Sequence, residues 1–127
     1  VIIRQIYIHQ HLYLFYDLCG YTSHSDEWID CCSRSDAIVF VFDPHSINNA
    51  RMHHSSLFKV LAPIIVEKKI PTLALFNKDD DKTDFQPVAD ELKAAVDGAP
   101  FHSARIKKLS PELFDIFEWI ESYTVSN

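Results

Sequence analysis

Two unbroken runs of β-forming apolar residues, Ala37-Ile38-Val39-Phe40-Val41-Phe42 and Thr72-Leu73-Ala74-Leu75-Phe76, constrain the fold most tightly. A strand with one wet face alternates apolar and polar residues, whereas an unbroken run is buried on both faces. Burial on both faces means a parallel sheet covered by helices, and parallel neighbours need a long crossover between them. The stretch between the two runs supplies one. At 127 residues the chain is expected to be one domain, and with 47% hydrophobic and 13% aromatic residues it has ample material for a core.

The rest of the pattern fits the same plan. Ile2 to His9 alternates and is followed by Leu12 to Phe15 and Tyr16, which predicts a hairpin with Gln10-His11 as the tight connection. Asp26 to Ser33 reads as a short helix. Asn48 to Val66 carries Leu57, Val60, Leu61 and Ile64 at helical spacing, with Pro63 marking a kink or a restart. Phe85 to Val96 places Val88, Leu92, Ala95 and Val96 on one stripe, and Gly98 is a natural stop. Ala99 to His102 is a weaker strand. Ser110 and Pro111 read as N-cap and first helical residue of a last helix with Leu113, Ile116, Phe117 and Ile120 inward. The expected order is β-β-α-β-α-β-α-β-α, an α/β domain with a mostly parallel sheet and flanking helices.

Composition excludes several function classes. A formal charge of -6 argues against nucleic-acid binding, which needs a basic patch; Arg105 to Lys108 is too short to supply one. No apolar run reaches the roughly 18 residues of a membrane span. Cys19, Cys31 and Cys32 are odd in number with two adjacent, so reduced thiols in a cytoplasmic protein are expected rather than a disulfide framework. Neither the cysteines nor the histidines show metal-ligand spacing. His53 and His54 are adjacent, and His9 and His11 flank the expected turn. Trp28 and Trp119 read as packing residues.

In sheets of this kind ligands bind beyond the carboxyl ends of the strands. After the second strand comes Asp17-Leu18-Cys19-Gly20, after the third Asp43-Pro44, after the fourth Asn77-Lys78-Asp79-Asp80, and after the fifth Ser103-Ala104-Arg105. Taken singly, the first is an ordinary strand-to-loop turn and the Asn77 to Asp81 stretch a solvated acidic loop.

Taken in order, D-x-x-G, N-K-x-D and S-A-x resemble the motifs of the small GTPases across essentially the whole chain. Trp28 and the Phe42-Asp43 strand end stand at the spacing of the Arf branch, which includes Arf-like proteins and the signal-recognition-particle receptor β subunit. Phe117-Glu118-Trp119-Ile120 is similar to that branch's final helix. The resemblance implies a partial P-loop NTPase G domain that binds GTP or GDP with Mg2+. Asp80 would accept both donors of the guanine edge, a charge-assisted bidentate pair that rejects adenine. Asn77 would steady the loop, and Lys78 would lay its stem on the purine. Ala104 would offer its N–H to the base, with Ser103 holding that loop. Asp17 would reach Mg2+ through a water, and Gly20 would contact the terminal phosphate.

The resemblance also marks what is missing. The P-loop needs two closely spaced glycines so that its backbone can cradle phosphate. Gly20 and Gly98, the two glycines of the chain, stand elsewhere. No threonine in residues 1–16 can serve as the first switch, and the start at Val1 lacks Met, so the match is expected to begin in mid-sequence, without the family's first strand. Each charge-assisted phosphate contact is worth roughly 1.5–3 kcal/mol, so losing three costs about a thousandfold or more in affinity. Loss of the strand is expected to leave a gap, a direct pairing of its neighbours, or two free edges. Tyr21 stands where the family typically has the water-orienting glutamine, so the chain is not expected to catalyse hydrolysis.

Two functions stay open. One is a truncated Arf-like switch in intracellular traffic, engaging protein effectors through Tyr21 to Ser33 and meeting endomembranes only as part of a longer parent. The other is a nucleotide-free pseudo-GTPase acting as an interaction module. An unrelated receiver-type α/β fold would need acids clustered at the end of its first strand, which the sequence lacks.

Overall fold

The structure, a computed structural model, describes residues 2–18, 25–49, 51–107 and 112–125. Its elements are β1 (Ile2–Ile8), β2 (His11–Asp17), α1 (Ser25–Ser33), β3 (Ile38–Phe42), α2 (Pro44–Asn49), α3 (Arg51–Lys68), β4 (Thr72–Asn77), α4 (Gln86–Ala95), β5 (Phe101–Ile106) and α5 (Glu112–Thr124). This is a mixed α/β architecture. The strands β3, β4 and β5 form a parallel sheet with β4 in the middle, and β1 and β2 form a separate antiparallel sheet. Among the described residues no hydrogen-bonded ladder joins the two sheets, and β2 does not pair directly with β3.

The hairpin turns one residue earlier than the sequence suggests. Ile8 pairs with His11, which leaves His9 and Gln10 as the two turn residues at φ 50° and 66°. Two successive left-handed residues make the kind of turn whose twist matches that of the flanking strands. Neither is the glycine or asparagine that normally signals it.

The parallel sheet has one heavily covered face. Phe40 and Phe42 of β3 and Ala74 and Phe76 of β4 meet Phe58, Leu61 and Ile65 of α3, Val88 and Leu92 of α4, and Trp28 and Cys32 of α1. Phe76 lies at the centre, with its ring 5.4 Å from Phe42 and 4.7 Å from Phe85. Burying side chains of this size stabilises by roughly 1.5–3 kcal/mol each. Trp28 is 2% exposed, so it is a packing residue as expected. On the opposite face Ile116 and Ile120 of α5 cover Leu73 of β4 and Ile106 of β5. That cover stops short of β3, where Val39 and Val41 are 38% and 60% exposed.

Helix bounds differ from expectation in two places. Asp43 accepts the Ile47 N–H at 3.1 Å and Pro44 follows it, so a short helix, α2, precedes the long one. The helix α3 continues through Pro63 to Lys68 rather than restarting there. The Ser110-Pro111 cap lies outside the described residues.

The hairpin is fastened to α5 by side chains. The Phe117 ring meets Tyr13 edge-on at 5.3 Å and Phe15 at 6.3 Å. At the turn, Glu121 accepts from His9 Nδ1 at 2.9 Å and lies 3.6 Å from His11 Nε2. The hydrogen bond from His9 holds the Glu121 carboxyl below its ordinary range. Burial, with the Glu121 charge nearby, pushes the Tyr13 phenol up to about 12. The Tyr13 hydroxyl is buried, and among the described residues no group meets it at hydrogen-bond geometry.

Candidate functional site

The carboxyl end of β4 carries the Asn77-Lys78-Asp79-Asp80 turn, as the sequence pattern requires. Asn77 is the last residue of the strand, and its Oδ1 accepts the Lys78 N–H at 3.0 Å. That bond folds the chain back at Lys78, whose φ is 55°. Asparagine does this readily because its short amide mimics a backbone acceptor. Lys78 is exposed.

Asp80 closes the next turn. Its Oδ1 accepts from Lys82 N at 3.0 Å and Thr83 N at 2.7 Å, and its Oδ2 accepts from Thr83 Oγ1 at 3.0 Å. These bonds, led by the one from Thr83 N–H, hold its carboxyl below the usual range. At neutral pH it is therefore a carboxylate, able only to accept. A carboxylate has about four acceptor positions, so the turn leaves one on Oδ2 unused.

Asp79 points the other way. Its Oδ1 takes the Asp81 N–H at 3.1 Å, and Arg105 of β5 grips both oxygens, Nε to Oδ2 at 3.1 Å and Nη2 to Oδ1 at 3.2 Å. The Asp79 N–H donates to the Ile106 carbonyl at 3.0 Å. The Asp81 N–H first, and Arg105 next, lower the Asp79 carboxyl. Lys107 pairs with Asp81 at 2.7 Å. The turn after β4 is thus docked on the end of β5.

Ser103 and Ala104 lie elsewhere than expected. The strand β5 continues to Ile106, with Ala104 opposite Leu75 and Ile106 opposite Asn77. Ser103 and Ala104 are therefore inside the ladder, and the residues level with the Asn77 turn are Ile106 and Lys107. The extension has a simple cause: pairing with β4 rewards each further backbone hydrogen bond, although Ser103 and Arg105 look like loop residues.

Asp17 ends β2, in the sheet that among the described residues shares no ladder with β4. Gly20 and Tyr21 lie outside the described residues. Of the expected effector segment, Ser25–Ser33 is helical, with Trp28, Cys31 and Cys32 buried and Ile29 41% exposed. Among the described residues no three histidine, cysteine, aspartate or glutamate side chains are grouped to hold a metal ion. Nor is any described helix long and apolar enough to cross a membrane.

The roles of Asp79, Arg105 and Thr83 were not legible as motifs. Asp79 fills the variable position of N-K-x-D, and Arg105 reads only as part of a short basic cluster. No protein-family model and no curated protein matches the chain.

Proposed function

We propose that this chain is the base-reading portion of an Arf-like guanine-nucleotide switch. The observation that carries the reading is the Asn77 to Asp80 turn at the carboxyl end of the middle strand of a parallel sheet, the place where such sheets bind ligands. Its chemistry suits guanine. Asp80 is an exposed, ionised acceptor, and the guanine edge offers two donors. Placing one donor on each oxygen uses the free position on Oδ2 and requires Oδ1 to give up one of its two backbone bonds, from Lys82 N–H or Thr83 N–H. Lys78 is exposed beside it, available to lie on the base.

Asn77, Lys78 and Asp80 would hold the base; Asp17 would face Mg2+, with Gly20 on the phosphate side. A bound nucleotide would supply the switch, its terminal phosphate reporting the state to Tyr21 to Ser33 and so to protein effectors in membrane traffic. Ala104 would offer its N–H to the base with Ser103 supporting it, both from within β5.

A nucleotide-free interaction module is the second reading, favoured by the hairpin. Tyr13 and Phe15 face α5, which turns Leu12 and Leu14 outward. Leu12, Leu14, Tyr7 and Ile3 share that outer face and are 52%, 48%, 75% and 58% exposed. Apolar faces of this kind mark protein contacts.

Titration of the chain with fluorescent GDP and GTP, with and without Mg2+ and against ATP, separates the two. Guanine-selective binding at micromolar concentration or tighter is the expected result for the switch. Absence of saturable binding up to millimolar nucleotide leaves the interaction module.

A further inference from the structure

Asp79 stands at the position the guanine-reading pattern leaves variable, yet only 7% of its side chain is exposed. A carboxylate so enclosed needs full compensation. It receives three N–H donors, two of them the fork of Arg105. The same guanidinium lies 5.3 Å from the centroid of the Phe85 ring, which is 1% exposed and immediately precedes α4. Arg105 therefore touches both ends of the β4–α4 connection: Asp79 just after the strand and Phe85 just before the helix. Its own strand also accepts the Asp79 N–H, through Ile106.

That connection needs holding. Lys78 and Asp81 are non-glycine residues at φ 55° and 61°, a conformation that a loop left to itself gives up. Planar two-point recognition of a carboxylate, with stacking on an aromatic face, is specific to arginine; a lysine offers a point charge without the fork.

We propose that Arg105 is a positioning residue for base reading, fixing the Asn77 to Asp80 turn on β5 through Asp79 so that Asp80 is presented in one conformation. The proposal rests on the reading of this turn as a guanine reader. Asp79 transmits the constraint and has no contact with the base.

The test uses the full chain in two measurements: amide hydrogen exchange, and titration with fluorescent GDP with ATP as the control. In Arg105→Gln, exchange of the Asp79, Asp81 and Thr83 amides rises at least tenfold, while Leu73 and Leu75 in β4 are unchanged. GDP affinity falls about tenfold in the same variant. Arg105→Lys is intermediate in both, and Asp79→Asn reproduces Arg105→Gln. Unchanged exchange in the turn, or an equal rise in β4, overturns the positioning role. Full GDP affinity in an Arg105→Gln variant whose turn has loosened overturns its link to base reading. Failure of the unmodified chain to bind GDP removes the guanine reading and that link with it, and exchange then decides separately whether Arg105 fixes the turn.

Discussion

Replacing Phe117 by alanine should release the hairpin while leaving the parallel sheet intact. Among the described residues the two sheets share no ladder, so β1 and β2 are held to the rest of the fold by side-chain docking, and an isolated two-stranded hairpin is marginal in water. Phe117 makes the central contacts of that docking, edge-on to Tyr13 at 73° and to Phe15 at 89°. Truncating a fully buried phenylalanine costs about 3–5 kcal/mol. Phe117 is half-buried, so about half of that, roughly 2 kcal/mol, is the expected loss. An effect of this size corresponds to about a 30-fold rise in the opening equilibrium. Amide hydrogen exchange at Tyr13 and Phe15 reads it directly, with Leu73 and Leu75 as internal references. His9→Ala, which removes the 2.9 Å bond to Glu121 at the exposed turn, should give a smaller rise in the same amides. Unchanged protection in the hairpin of Phe117→Ala, or an equal loss in β4, would refute the view that the hairpin opens as its own unit.

Other expectations test the core, the turn and the thiols. Phe76→Ala should lower unfolding stability by about 3–5 kcal/mol in denaturant titrations, because its 2% exposed ring sits between Phe42 and Phe85; a loss below about 1 kcal/mol would place the centre of the core elsewhere. Asp79 and Asp80 are held below the ordinary carboxyl range, so their bonds stabilise the fold above the unfolded value of about 3.9 and are lost as pH falls through the lower folded values. Amide resonances from Lys78 to Thr83 should hold steady from neutral pH to about pH 4 and move together below it; coordinated movement between neutrality and pH 5 would contradict this assignment. Thr83→Val removes the hydroxyl bond to Asp80 Oδ2 but leaves both backbone bonds to Oδ1, so GDP affinity should hold, and a loss of about tenfold or more would mean that Thr83 assists the base. Burial pushes the Cys32 thiol up to about 11, so at pH 8 Cys32 should react with a thiol reagent only as the protein unfolds, read by mass mapping; Cys31 is shielded by its burial alone.

What the sequence revealed of the fold follows from where the information is local. The strands β3 and β4 were legible because unbroken β-branched and aromatic runs have few other solutions. The hairpin was legible in its strands and displaced in its turn, because His9 and Gln10 adopt a left-handed pair with no residue that announces it. The strand β5 was cut short because Ser103 and Arg105 resemble loop residues, and only pairing with β4 explains why they are strand. Likewise α2 was missed: His45, Ser46 and Asn48 are weak helix formers, and the start rests on Asp43 and Pro44. At the site, Asn77 and Asp80 act on near neighbours and could be read directly. The pairing of Asp79 with Arg105 joins residues 26 positions apart, and nothing in either local pattern points to the other.

The outer edge of β3 carries a cost in solution. Ile38–Phe42 hydrogen-bonds to β4 on one side, and among the described residues no strand pairs with its other side. An uncharged five-residue edge free of proline is the kind of template on which further chains stack. Asp36 before the strand and Asp43-Pro44 after it act as gatekeepers, guarding the ends of the segment while its length stays open. Solubility of the purified protein should therefore fall steeply with concentration, and a single lysine at Val41, the most exposed position of the strand at 60%, should extend the usable range without touching the core.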